Sequence, residues 1–270
     1  MDKHIGFIGC GKMAQAMIQG IIASQVATPQ QIIVSAKTED TLQYVEKNYG
    51  IRTTLHNKEV AANADYLFLA VKPELYAQVI DEVKEVVKEE AIILTIAAGI
   101  TIHSIEKWFE RPIKTVRSMP NTPSLVGEGM SALCVNSYVN EDELLEVMQI
   151  FKGFGKAEVI DERLMDAIPA VSGSSPAYAY LFIEALADGA VMQGIPRKQA
   201  YKLAAQALLG AAKMVLETEK HPGELKDDVC TPRGATIQAI AALEKNGFRA
   251  SIITAMENCT KKIKELSKDS

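Results

Sequence analysis

Residues 4–17, His4-Ile5-Gly6-Phe7-Ile8-Gly9-Cys10-Gly11-Lys12-Met13-Ala14-Gln15-Ala16-Met17, read as strand, tight turn and helix. The apolar run Ile5, Phe7, Ile8 enters a turn of G-x-G-x-x-A spacing, and each small residue there has its own task. Gly9 permits the sharp turn, Gly11 lets backbone approach a pyrophosphate, and Ala14 lets the helix pack closely on the strand. An anion would rest on the unpaired N–H groups at the helix start near Lys12, where the helix dipole also favours negative charge. The spacing alone is not specific, because such turns also occur without a ligand. Its place directly after a short apolar run favours a dinucleotide.

Outward from this turn, Thr28-Pro29 breaks the first helix, and Gln31 to Ser35 forms a second β-branched run followed by a helical stretch from Leu42 to Tyr49. In a strand–helix–strand unit of this kind, a carboxylate at the end of the second strand would mark NAD. Here Ser35-Ala36-Lys37-Thr38 stands there, with no carboxylate before Glu39 and Asp40. A hydroxyl and an ammonium suit a 2′-phosphate, so NADPH is expected and NADH is the weaker alternative; Lys37 could also be no more than a solvated loop lysine.

Further strands are expected at Gly50 to Thr54, Tyr66 to Val71, Ile92 to Ile96, Lys114 to Ser118, Ser131 to Val135 and Ala157 to Ile160. A short helix opens at His56-Asn57, and longer ones span Leu75 to Val87 and Glu141 to Phe154. Regular alternation of strands and helices argues for a mostly parallel, doubly wound α/β sheet of Rossmann-like type. Small residues after one strand, Ala97-Ala98-Gly99, suggest close approach of a ligand or tight packing, and two prolines fix the loop Met119-Pro120-Asn121-Thr122-Pro123. From Asp161 onward no strand is legible, and Ala, Leu and Ile recur at helical spacing. The expected division is a dinucleotide-binding domain at residues 1–162 and an all-helical domain at 163–270. The helices Pro176 to Gln193 and Ala200 to Leu216 are apolar around most of their circumference, so a partner chain is expected to complete their core.

With 270 residues and 48% apolar content, the chain can bury a core, and a net charge of −5 without a basic stripe argues against nucleic acid. Lys261, Lys262 and Lys264 read as a solvated face. The four cysteines, Cys10, Cys134, Cys230 and Cys259, are far apart with no C-x-x-C pair. No metal site or disulfide framework is expected, and a cytoplasmic protein with reduced thiols is. No stretch is apolar for the roughly 18 residues a spanning helix needs, so no membrane association is expected.

Two helix starts could carry chemistry. Ser172-Gly173-Ser174-Ser175-Pro176 precedes a long helix, where serine caps and an early proline are ordinary start signals, yet Ser174 could also face a ligand. Cys230-Thr231-Pro232-Arg233-Gly234-Ala235-Thr236 precedes another, as a second anion site or a turn merely capped by Thr231 and Thr236. Between Asp166 and Gln193 there is neither Lys nor His. A dehydrogenase for 3-hydroxy acids needs such an acid/base for the alcohol oxygen, whereas an imine can arrive protonated and accept hydride directly.

The turn 9–14, Ala70-Val71-Lys72-Pro73, Ala97-Ala98-Gly99, Met119 to Pro123, the run 170–188 and His221-Pro222-Gly223 through Thr236 together resemble the pyrroline-5-carboxylate reductase family over nearly the whole chain. The resemblance implies NADPH-dependent reduction of 1-pyrroline-5-carboxylate to L-proline, the last step of proline biosynthesis. It implies cofactor contacts at Ile8, Gly9, Cys10, Gly11, Lys12, Met13, Ser35, Asn57, Ala70, Val71, Lys72, Pro73, Ile96, Ala97 and Ala98. It implies substrate contacts at Glu219, Ala235 and Thr236, to which the helix-start reading adds Gly234 and Ser174, with Thr236 as the catalytic hydroxyl. It also implies a homodimer with intertwined helical domains, in many members assembled further. Where the family has two small residues before the final Ala-Thr, this chain has Arg233-Gly234. The alternatives are a related imine or 3-hydroxy acid oxidoreductase, and a non-catalytic NADP-binding regulatory protein.

Overall fold

The structure, a computed structural model, describes residues 3–268 of the chain, and the terminal residues of the two expected domains, 1–2 and 269–270, lie outside it. Strand β1 (Ile5–Ile8) leads into α1 (Lys12–Ala23), β2 (Ile32–Ser35) into α2 (Glu39–Tyr49), and β3 (Arg52–Thr54) into α3 (Asn57–Asn63). Next come β4 (Tyr66–Leu69), α4 (Tyr76–Val83), β5 (Ile92–Thr95), α5 (Ile102–Phe109), β6 (Lys114–Met119), β7 (Gly129–Val135), α6 (Glu141–Lys152) and β8 (Gly155–Val159). These strands form one sheet in the order β3-β2-β1-β4-β5-β6-β7-β8, parallel except for β6 against β7.

The strands β1, β2, β4 and β5 are buried on both faces because they are largely apolar at consecutive positions, the pattern that parallel strands covered by helices require. Along β1, β2, β4 and β5, alternate side chains serve opposite cores. Ile5, Phe7, Ile32, Val34, Tyr66, Phe68, Ile92 and Leu94 join Met17, Ile18 and Ile21 of α1 and Phe151 of α6. Ile8, Ile33, Leu67, Leu69 and Ile93 join Val60 of α3, Ile80 of α4 and Ile105 of α5. Phe7 and Phe68 stack across β1 and β4 with centroids 4.5 Å apart. Buried Arg117 on β6 donates to Asp166 (2.7 Å) and lies 3.5 Å from Glu162, which fastens the segment after β8 to the sheet.

The helices after β8 are α7 (Ser175–Met192), α8 (Arg197–Thr218), α9 (Pro222–Val229), α10 (Ala235–Lys245) and α11 (Phe248–Lys268). The chain divides into two compact units: one runs to Ser174 and takes in the stretch from Cys259 onward, and the other is Ser175–Asn258. Within the second unit α7 packs on α8, and Phe182 meets Phe248 at 6.0 Å. Among its described residues only the alanines Ala187, Ala200 and Ala204 are buried apolar side chains, while Leu181, Leu203, Leu209, Leu216 and Met192 are exposed, Met192 to 89%.

Two local details differ from the sequence reading. The expected helix 75–87 begins as a tight turn at Pro73–Leu75 and ends at Val83, since Lys84 closes it and residues 84–87 form a separate turn. The expected start at Ser172–Pro176 overlaps a single wide helical turn, Pro169–Gly173, so α7 is entered from backbone already coiled.

Candidate cofactor and substrate site

The strand order reverses between β1 and β4, and at such a switch point the carboxyl ends of neighbouring strands open a crevice. The Gly-rich turn lies there. Gly9 has φ +96°, its N–H donates to Ser35 O (3.0 Å), and a Cβ built on it would stand 2.5 Å from Ala70 O. Only glycine fits that close pass of the turn over the end of β4. The Ala70 N–H in turn donates to Ile8 O at 2.8 Å. Gln15 Nε2 donates to Cys10 O at 3.0 Å, holding the turn from within α1.

Gly11 is different. It is the residue before α1, in extended conformation with no side-chain cap, and a Cβ there would meet no atom within 4 Å. Space is therefore open above Gly11, at the uncapped start of α1 and beside the exposed Lys12. Uncapped N–H groups, open room over a glycine and a flanking ammonium fit a diphosphate. Cys10 is buried, which pushes its thiol up to about 11, so it is protonated at neutral pH and serves as packing rather than as a nucleophile.

At the end of β2, Ser35 is buried, and its hydroxyl donates to Asn57 Oδ1 at 2.7 Å; Asn57 Nδ2 donates to Glu82 Oε2 at 2.8 Å. Lys37 is exposed. On the other side of the switch point, Ala70, Val71, Lys72 and Pro73 follow β4, and Ile96, Ala97 and Ala98 follow β5. A buried polar chain that the sequence did not reveal joins these two loops. Tyr76 of α4 donates its hydroxyl to Leu69 O, Thr95 Oγ1 donates to the Tyr76 hydroxyl (2.9 Å), and Ser118 Oγ donates to Thr95 O (2.7 Å). Burial pushes the Tyr76 phenol up to about 12, so it stays a neutral donor. Asn121 holds the next loop: its Nδ2 donates to Ser172 O and its Oδ1 accepts from Met130 N–H, both at 2.9 Å. Ser174 approaches Cys259 Sγ at 3.5 Å.

In the second unit, the residues implicated in substrate binding lie at two helix ends. Glu219 follows α8 with φ +55°, exposed. Gly234 precedes α10, closing a turn through its N–H to Thr231 O (3.0 Å), and Ala235 and Thr236 open the helix. No side-chain cap closes the start of α10, so the alternative of a turn merely capped by Thr231 and Thr236 finds no support, and the first-turn N–H groups are left for an anion. Arg233 has φ +61°, a left-handed conformation that costs a non-glycine residue about 1–2 kcal/mol. Among the described residues there is no cluster of groups able to hold a metal and no helix long and apolar enough to cross a membrane.

Residues 162–266 match the family model described as pyrroline-5-carboxylate reductase dimerisation, and residues 4–99 match the one described as NADP oxidoreductase coenzyme F420-dependent. The pyrroline-5-carboxylate reductase of Escherichia coli is 46% identical over 268 residues, covering 99% of this chain and 100% of that protein. Among solved structures, the pyrroline-5-carboxylate reductase of Coxiella burnetii superposes with a TM-score of 0.92 at 36% identity, covering 98% of this chain and 99% of that one. The Plasmodium falciparum pyrroline carboxylate reductase with NADP bound follows at TM-score 0.89 and 32% identity, covering 98% of both chains. With the Gly-rich turn at the switch point and the uncapped start of α10 in place, this full-length similarity makes the chain a member of the pyrroline-5-carboxylate reductase family.

Proposed function

We propose that this protein reduces 1-pyrroline-5-carboxylate to L-proline, the last step of proline biosynthesis, using NADPH. The observation that carries the reading is the full-length identity to relatives of that name, borne on a chain whose two uncapped helix starts each suit an anion. When bound, the cofactor supplies hydride from C4 of its nicotinamide to the C=N carbon. The protein's share is positioning and electrostatics. Gly9 to Met13 and the start of α1 hold the diphosphate. Loops 70–73 and 96–98, braced by Tyr76, Thr95 and Ser118, border the nicotinamide end. Lys37 and Asn57 read the 2′-phosphate, with Ser35 acting through Asn57, because its only hydroxyl proton is committed there. The N–H groups at Gly234 to Thr236 take the substrate carboxylate, the Thr236 hydroxyl orients the ring nitrogen, and Glu219 and Ser174 complete the substrate contacts. A related imine remains the second reading, and the lack of Lys or His from 166 to 193 weighs against a 3-hydroxy acid. NADPH consumption with a panel of cyclic imines and keto acids tests this: turnover of pyrroline-5-carboxylate above all others is expected, and its absence would refute the assignment.

The protein acts as a homodimer or an assembly of such dimers, in the cytoplasm, with residues 1–162 for the cofactor and 163–270 for pairing and substrate. The dimerisation match from residue 162 and the bare apolar helices support pairing. Light scattering should give twice the 29.4 kDa chain or a multiple of it. A well-folded monomer at micromolar concentration would contradict this.

Lys37→Glu is expected to raise the KM for NADPH about tenfold while leaving that for NADH nearly unchanged. One charge-assisted hydrogen bond contributes roughly 1.5–3 kcal/mol, and the exposure of Lys37 puts its share at the low end. Equal effects on both cofactors would reduce Lys37 to a surface lysine.

A further inference from the structure

The chain Ser35–Asn57–Glu82 ends in a carboxylate. Ser35 Oγ donates to Asn57 Oδ1 (2.7 Å), which fixes the amide so that its nitrogen points the other way, and that nitrogen donates to Glu82 Oε2 (2.8 Å). An amide nitrogen carries two protons, so one N–H of Asn57 remains for another acceptor. Ser35 closes β2, where a Rossmann-like sheet reads the adenosine ribose, and Asn57, which opens α3, is hydrogen-bonded to it. Glu82 comes from α4, a helix belonging to a different strand, yet it is only one hydrogen bond away from that corner.

We propose that Glu82 is a cofactor-specificity residue: hydrogen-bonded to Asn57, its carboxylate opposes a 2′-phosphate at the ribose corner and so limits the preference for NADPH over NADH. The inference rests on the NADPH reading of the site above. Two effects act in the same direction. A phosphate carrying close to two charges is repelled by an anion a few ångströms away, whereas the neutral 2′-hydroxyl of NADH is not. By taking one Asn57 N–H, Glu82 also leaves the phosphate a single amide donor where two could serve, a loss that a 2′-hydroxyl, which can itself donate, feels less. Glu82 is exposed, so water and salt screen the repulsion and the effect is modest. Nothing in this arrangement makes Glu82 necessary for the fold, since its partner is half-buried and lies at a helix start.

The test separates charge from hydrogen bonding. Glu82→Gln keeps an acceptor for Asn57 and removes the charge; Glu82→Ala removes both. Binding of the fragments 2′,5′-ADP and 5′-ADP to the full-length protein is measured by calorimetry at low and high salt, alongside KM for NADPH and NADH. Glu82→Gln is expected to bind 2′,5′-ADP about three- to tenfold more tightly at low salt, less so at high salt, with 5′-ADP unchanged. Glu82→Ala should do the same or more, and the KM ratio should move with the fragments. Unchanged 2′,5′-ADP affinity in both variants, or a loss of it, would overturn the proposal, the loss meaning that Glu82 serves to present Asn57 to the phosphate. Fragment binding does not depend on the imine substrate. Failure of the parent protein to turn over pyrroline-5-carboxylate would therefore strike the functional reading and leave this one standing.

Discussion

Gly11→Ala leaves the unliganded protein as stable as its parent and weakens NADPH binding by about a hundredfold, whereas Gly9→Ala damages the fold itself. The two glycines are two residues apart, but their surroundings are opposite. Gly11 has φ −73° and ψ 179°, which alanine adopts freely, and the added methyl would enter open space. That space is where the proposed site puts the diphosphate, against the N–H groups of α1, so the methyl would displace it and lengthen several charge-assisted bonds. Losing about 3 kcal/mol there corresponds to roughly a hundredfold in affinity. Gly9, at φ +96°, would bring a Cβ to 2.5 Å from Ala70 O and 2.9 Å from Ala70 C. Left-handed backbone and a clash with main chain that cannot rotate away together cost on the order of 3 kcal/mol or more. For a chain of this size that lowers the melting temperature by roughly 5–12 °C. Thermal melts without cofactor and fluorescence titration with NADPH read the two effects separately. Parental cofactor affinity in Gly11→Ala would mean that the diphosphate does not cross this turn.

The second large effect is on the chemical step. Thr236→Val should lower kcat with pyrroline-5-carboxylate roughly tenfold to a hundredfold, the worth of one hydrogen bond to a charged group, with NADPH affinity nearly unchanged. Valine keeps the shape of threonine and the backbone donors of Gly234 to Thr236, so only the hydroxyl is lost. Because no side chain caps α10, that hydroxyl is not consumed in holding the helix start, and its removal should leave the melting temperature within about 1–2 °C. Full turnover in Thr236→Val, or a loss confined to cofactor affinity, would end the assignment of this hydroxyl to the substrate nitrogen. A large fall in stability would show that it caps after all.

The local elements of this protein were written in its sequence. Buried runs such as 66–69 and 92–94 are apolar at consecutive positions, which only a strand covered on both faces tolerates, and the turn 9–14 carries the small residues its geometry requires. The change near Asp161 to helices apolar around most of their circumference likewise led to the expectation that a partner chain completes their core, and the exposed leucines of α7 and α8 agree. Tertiary structure decided which of these elements meet. Placing β4 beside β1 sets Ala70 against Gly9, and placing β5 between β4 and β6 lets Tyr76, Thr95 and Ser118 hydrogen-bond across separations of 19 and 23 residues. The same packing brings Glu82 to Asn57 across 25 residues and Asn121 to Ser172 across 51. Such pairs leave no periodic trace, because a hydrogen bond needs one donor and one acceptor in place, and only the strand order and the helices that cover it determine which distant residue supplies the other half.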